Sequence, residues 1–410
     1  MRQFTGFLVL IWILEGCSPI ESKLAPGTWR GVMQLQNQEL PFNFEVDENL
    51  KISLINGKEK ILLDEIEIFG DSIRIVMHIF DSEIRAKSNG NELTGYFVKN
   101  YAPEYKYPTT AKLGEHFRFI KEDEIPTENF SGTYSVEFHY EKDTIHDISV
   151  AVGIFKQDGN KATGTFLMNN GDYRFLQGNV LNDELWLSTF DGNHSFVFRA
   201  SKSGDTLRGD FWSGATWHET WVGIKNENAT LPKNESLTYL REGYEKIEFS
   251  FPDLEGNLVT LNDERFMNKV VILQIFGTWC PNCMDETKFL ANWYKENHQR
   301  EVEILGLAYE RKDDFDYASG RVKKMKQRLG VSYDFVIAGT YDKAEASKTL
   351  PMLNHVQAFP TTIFIGKDGK VKKIHTGFSG PGTGAHYDQF IGWFNQTVNE
   401  LLQADMTSQK

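Results

Sequence analysis

A run of mainly apolar, largely β-branched residues, Val270-Val271-Ile272-Leu273-Gln274-Ile275-Phe276, ends in Gly277-Thr278-Trp279 and runs straight into Cys280-Pro281-Asn282-Cys283. The first part is expected as a buried strand, and Met284 to His298 as a helix, with Thr287, Leu290 and Tyr294 at helical spacing. A strand thus delivers two cysteines, two residues apart, to the first turn of a helix. The unsatisfied N–H groups and partial positive charge of that turn favour thiolate over thiol. Only the thiolate attacks a disulfide, and it is also the better leaving group. A tetrahedral zinc site needs further ligands of the same kind, and no second Cys-x-x-Cys pair exists in the chain. The pattern points to redox chemistry.

The rest of the composition bounds this reading. At 410 residues the chain has room for two or three domains with proper cores. A net charge of -13 argues against nucleic acid as a partner, which requires a basic footprint. The three cysteines, Cys17, Cys280 and Cys283, exclude a disulfide-stapled scaffold and leave one pair and one singleton.

The singleton follows an apolar run from Phe7 to Leu14, preceded by Arg2. That run is shorter than the roughly 20 residues a membrane span needs, and it fits a secretory signal peptide. Leu14-Glu15-Gly16-Cys17 resembles the bacterial lipobox, although Glu15 stands where a small residue is usual. Residues 1–16 are therefore expected as a lipoprotein signal peptide and Cys17 as the lipidation site. No later segment is apolar enough over sufficient length to cross a membrane as a helix.

Residues 25–225 show short alternating runs, such as Ile52-Ser53-Leu54-Ile55 and Ser72-Ile73-Arg74-Ile75, cut by Asn56-Gly57, Gly70-Asp71 and Asn89-Gly90. Such a region is expected to be all-β. It also carries a diverged repeat. Gly27-Thr28-Trp29 recurs as Gly132-Thr133-Tyr134, Asp71-Ser72-Ile73 as Asp183-Glu184-Leu185, and Gly90 to Phe97 as Gly204 to Phe211. Two β-rich copies, 25–120 and 130–225, are expected, each a small antiparallel barrel or sandwich. The aromatic-rich run from Phe211 to Trp221 is read as core filling rather than as a ligand cavity. His139, His146, His194 and His218 lack metal-ligand spacing, so no metal site is expected.

Residues 226–245 are polar and are expected as a linker leading into a short helix. The last domain, 246–405, opens with two strand pieces around Gly256-Asn257. After the dithiol helix come a second buried strand, Val302 to Tyr309, and an amphipathic helix with Ala318, Val322, Met325 and Leu329 on one face. Its other face, with Arg321, Lys323, Lys324, Lys326 and Arg328, is expected to be solvated. Then follow Ala358-Phe359-Pro360-Thr361-Thr362, a glycine-rich loop from Gly377 to Gly384 and a final helix. The loop lacks the phosphate-cradle pattern and is read as one wall of a substrate groove.

Trp279-Cys280-Pro281-Asn282-Cys283, Phe359-Pro360-Thr361 downstream, and the opening Phe251-Pro252-Asp253-Leu254-Glu255-Gly256 resemble the thioredoxin fold, and within it the TlpA/ResA type of membrane-anchored thiol-disulfide oxidoreductase. The fold class expected is therefore multidomain, a duplicated all-β half followed by a C-terminal α/β thioredoxin fold. The resemblance implies a cis peptide bond before Pro360, lying against the dithiol. Two departures bear on mechanism. The proline between the cysteines comes one position early, so no reduction potential is transferable. Gln274 stands where thioredoxin has a buried Asp. An amide cannot take the proton of the buried cysteine, which leaves Glu310, at the end of the next strand, as the candidate base.

The function read from these residues is reduction of disulfides in exported proteins, in a bacterial cell envelope and facing the periplasm. Cys280 attacks, Cys283 resolves, Trp279 covers the site, and Phe359 with Pro360 forms the peptide-binding edge. No cofactor is implied, and by resemblance the electrons come from a membrane thiol reductant. One alternative is a peroxiredoxin-like peroxide reductase. That family wants Pro and Thr or Ser ahead of its reactive cysteine, where this chain has Leu273 and Gly277. Another is a β-domain ligand-binding or scaffold lipoprotein with an accessory redox domain.

Overall fold

The computed structural model describes residues 24–121, 125–140, 148–231 and 237–404. The signal peptide, Cys17, His146 and Pro232 lie outside them. Two nine-stranded antiparallel sheets are followed by a five-stranded mixed sheet.

In the first sheet the opening strand, Gly27–Leu35, sits centrally and pairs with both Gln38–Val46 and Lys106–Leu113. The second sheet repeats this arrangement with Gly132–Tyr140 between Ile148–Asp158 and Trp217–Lys225. Here Ile148–Asp158 pairs also with Lys161–Met168, so the second sheet closes into a barrel, while the first stays open. Closure removes the free edges that an open sheet exposes.

The sequence repeat maps onto this duplication strand for strand. Its three matches open the first, sixth and eighth strands of each copy. Gly27 and Gly132 share a φ of 137° and 138°, a conformation that a residue with a Cβ rarely adopts. The aromatic residue two positions on also plays the same part in both copies. Trp29 Nε1 donates to the Ala25 carbonyl at 3.0 Å, and the Tyr134 hydroxyl to the Phe130 carbonyl at 3.2 Å. Phe211 and Trp221 lie inside the barrel core with Phe138, Phe166 and Phe198.

The third sheet runs Asp334–Thr340, Val302–Glu310, Val270–Phe276, Thr361–Ile365, Val371–Thr376; the first three are parallel, Thr361–Ile365 is antiparallel to them, and Val371–Thr376 is antiparallel to Thr361–Ile365. All seven side chains of Val270–Phe276 are buried, as expected of a strand covered on both faces. Among the described residues the α-helices are α1 (Pro281–Asn297), α2 (Phe315–Leu329), α3 (Lys343–Thr349) and α4 (Ala385–Gln403).

Three expectations need correction. Helix α1 begins at Pro281 rather than Met284, because proline suits the first helical position, where its missing N–H costs nothing. Residues 237–245 form turns rather than a short helix and are stitched to the last domain, Leu240 bridging Leu353. The basic face of α2 is not a free solvated surface. Lys324 meets Glu65 at 2.8 Å, Arg328 meets Glu65 at 3.0 Å and also Asp64, and Arg321 donates to the Ile79 carbonyl. These three residues dock on the connections of the first sheet, whereas Lys323 stays exposed beside Glu255 and Lys326 pairs with Asp334.

Candidate active site

Cys280 caps α1. Its Sγ accepts the N–H of Cys283 at 3.2 Å and lies 3.6 Å from the Phe359 carbonyl. The two cysteines are joined as a disulfide with Cα atoms 5.2 Å apart. The Phe359–Pro360 bond is cis, so the expected juxtaposition of dithiol and proline loop is present. The Trp279 indole donates to the Tyr309 carbonyl at 2.8 Å and stands edge-on to Phe359, with ring centroids 5.4 Å apart. A Cβ on Gly277 would collide with that indole, so glycine is required in the turn. The Arg311 guanidinium lies over the Trp279, Tyr341 and Tyr101 rings at 4.5, 4.4 and 4.8 Å. Trp279, Cys280, Cys283, Phe359 and Pro360 are thus brought together.

Glu310 is buried and accepts both the N–H and the hydroxyl of Thr278 at 2.8 Å. Burial pushes its carboxyl up to about 7 against those two hydrogen bonds. It grips the turn that precedes Cys280. A second buried carboxyl, Glu286, escaped the sequence reading. It lies one helical turn beyond Cys283 and accepts from the Thr362 hydroxyl at 2.7 Å and from Gln274 Nε2 at 2.9 Å. Burial pushes it up to about 7 as well. Its signal was present: three residues after a cysteine inside a helix places it on the same buried face.

The β-rich half also reaches the site, which no local pattern announced. Asn193 Nδ2 donates to the Trp279 carbonyl at 2.8 Å, and Asn282 Nδ2 to the Asp172 carbonyl at 3.0 Å. Arg174 donates to the Pro281 carbonyl at 3.0 Å, pairs with Asp191 at 3.3 Å, and also pairs with Asp285 and Glu59. One guanidinium therefore ties both β sheets to the start of α1. In this setting Cys280 is only 6% exposed and Cys283 fully buried. Among the described residues no group of His, Cys, Asp and Glu is placed to hold a metal.

The Redoxin family model matches residues 242–391. The thiol-disulfide oxidoreductase ResA of Bacillus subtilis (strain 168) is 29% identical over 156 residues, 38% of this chain and 77% of its own. ResA of Geobacillus thermodenitrificans is 33% identical over 130 residues, 32% of this chain and 66% of its own. A solved structure of a thiol-disulfide oxidoreductase from Bacteroides fragilis covers 36% of this chain and 99% of its own at 21% identity, with a TM-score of 0.28.

Proposed function

From the premise that the C-terminal region of this chain is a Redoxin domain of the TlpA/ResA type, a thiol-disulfide oxidoreductase, we propose that the protein reduces disulfides of exported proteins while anchored in a bacterial envelope. The observation that carries this reading is the Cys280 Sγ at the N-terminus of α1, held by the Cys283 N–H at 3.2 Å and facing the Phe359 carbonyl. In the dithiol form, the Cys280 thiolate attacks one sulfur of a substrate disulfide and the other sulfur leaves as a thiolate. The Cys283 thiolate then attacks Cys280, releasing the second substrate sulfur and leaving the Cys280–Cys283 disulfide. Two electrons pass to the substrate, and a thiol reductant at the membrane restores the dithiol.

Resolution needs Cys283 without its proton in a dry interior. Glu286, buried one turn along the same helix and protonatable near neutrality, takes the proton in this reading, while Glu310 acts as a positioning residue for the turn before Cys280. Anchoring rests on the run from Phe7 to Cys17. Among the described residues no helix is long and apolar enough to cross a membrane. Insulin reduction coupled to dithiothreitol tests the reading: the full chain should accelerate it, and Cys280→Ala should return the rate to that of dithiothreitol alone. Rapid peroxide consumption with no disulfide reduction would instead establish the peroxidase alternative.

A further inference from the structure

The glycine-rich loop of residues 377–384 is not an open groove wall. Residues 169–174 of the barrel lie backbone to backbone against it. A Cβ on Gly377 would stand 2.5 Å from the Asn169 carbonyl oxygen, and one on Gly382 2.6 Å from that of Arg174. The Gly380 N–H donates to the Asp172 carboxylate at 2.6 Å. On the other side of the segment Asn282, between the two cysteines, donates to the Asp172 carbonyl at 3.0 Å. A Cβ on Gly171 would approach the Asn282 amide to 2.8 Å, so this face has no slack either. The loop glycines thus make room for a segment of the chain itself, which reaches the residue between the two cysteines.

We propose that residues 169–174, together with Asn193, occupy the substrate groove as an internal competitor and decide which disulfides reach Cys280. The inference rests on the reductase reading of the same site and names what controls its specificity. A folded protein bearing a disulfide must displace the segment, breaking the Asp172, Asn282 and Asn193 bonds, whereas a small disulfide needs only the gap over Cys280. Access for bulky reagents then follows the opening equilibrium of the segment.

The test uses the full chain, reduced, in two forms besides the wild type. The Asp172→Ala/Asn193→Ala variant removes bonds from the cap side. Gly171→Ala instead wedges the segment away from Asn282. Both should raise labelling of Cys280 by polyethylene-glycol maleimide, and insulin reduction, by about tenfold. Turnover of bis(2-hydroxyethyl) disulfide should change by less than about twofold. Equal labelling and insulin rates in wild type and folded variants overturn the proposal, even with the reductase reading intact. Faster labelling with no insulin reduction by any form supports the cap and sinks the reductase reading. A measurement free of cap substitutions guards against misfolding. In Cys283→Ala trapped as a mixed disulfide with a protein substrate, hydrogen exchange should speed up together at residues 169–174 and 377–382. Unchanged protection overturns the proposal.

Discussion

Gln274 Nε2 donates to Glu286 at 2.9 Å, joining the middle of the central strand to the buried face of the dithiol helix. The strand position that matches thioredoxin's buried acid thus holds an amide, and the acid has moved to the helix. Tyr333 completes the cluster, its hydroxyl 3.3 Å from Gln274 Oε1.

The Glu286 carboxyl should impose a pH dependence on stability. Burial raises it from an ordinary 4.5 to about 7. Between those values the unfolded chain has released the proton and the folded chain still holds it. Unfolding free energy therefore falls as pH rises through that window and levels off above it. At about 1.4 kcal/mol per pH unit, the penalty at alkaline pH reaches about 3 kcal/mol. Glu286→Gln should flatten this slope in urea titrations compared at about pH 5 and about pH 8. It should also slow resolution, so that mixed disulfide persists. Matching slopes in variant and wild type would remove Glu286 from the account.

Arg174 answers three carboxylates drawn from both β sheets and α1. Arg174→Met leaves Glu59, Asp191 and Asp285 facing one another with only Lys288, 3.5 Å from Asp285, and the His194 ring, 3.1 Å from Asp191, beside them, at a cost of about 3–5 kcal/mol. Calorimetry should show a lower melting temperature and a transition that separates into β-half and redox-domain steps. A single transition at the wild-type temperature would mean that the network does not couple the parts.

The fragment 237–404 holds the whole five-stranded sheet, helices α1 to α4 and the turns stitched to them. It should fold, and with the β-rich half gone it should reduce insulin at least as fast as the full chain. One continuous apolar cluster nevertheless joins Met77, Ile79, Phe190 and Val197 to the interior of this domain. An insoluble fragment would show that the β-rich half completes its core.

The proposed membrane attachment rests on Cys17. Cys17→Ser should move the protein from the membrane to the soluble fraction or leave it unprocessed, since retention needs more than one acyl chain. A wild-type protein with an unmodified N-terminus, wholly soluble, contradicts the anchor.

Local chemistry was legible in the sequence and remote chemistry was not. The run from Val270 to Cys283 announced a buried strand and a helix-capping thiol because period, composition and the turn all agree there. The repeat was visible because Gly27 and Gly132 need the same backbone angle. The strand Asp334–Thr340 and the short α3 were missed, being too brief and mixed in character to stand out. Asp172, Arg174 and Asn193 sit more than 85 residues from the groups around the dithiol that they bind, in a two-residue strand and turns whose polar residues give no sign of a remote partner. The basic face of α2 carried no mark distinguishing a docked face from a wet one.

The central claim is that the two cysteines have unequal parts, Cys280 attacking and Cys283 resolving. Trapping in cells measures this directly. Cys283→Ala leaves the attacking thiol without its resolving partner, so dithiothreitol-sensitive adducts with natural substrates should accumulate and be identifiable by mass spectrometry. Cys280→Ala should give few or none, because Cys283 is fully buried behind the first turn of α1. Equal trapping by both variants, or by neither, would contradict the assignment.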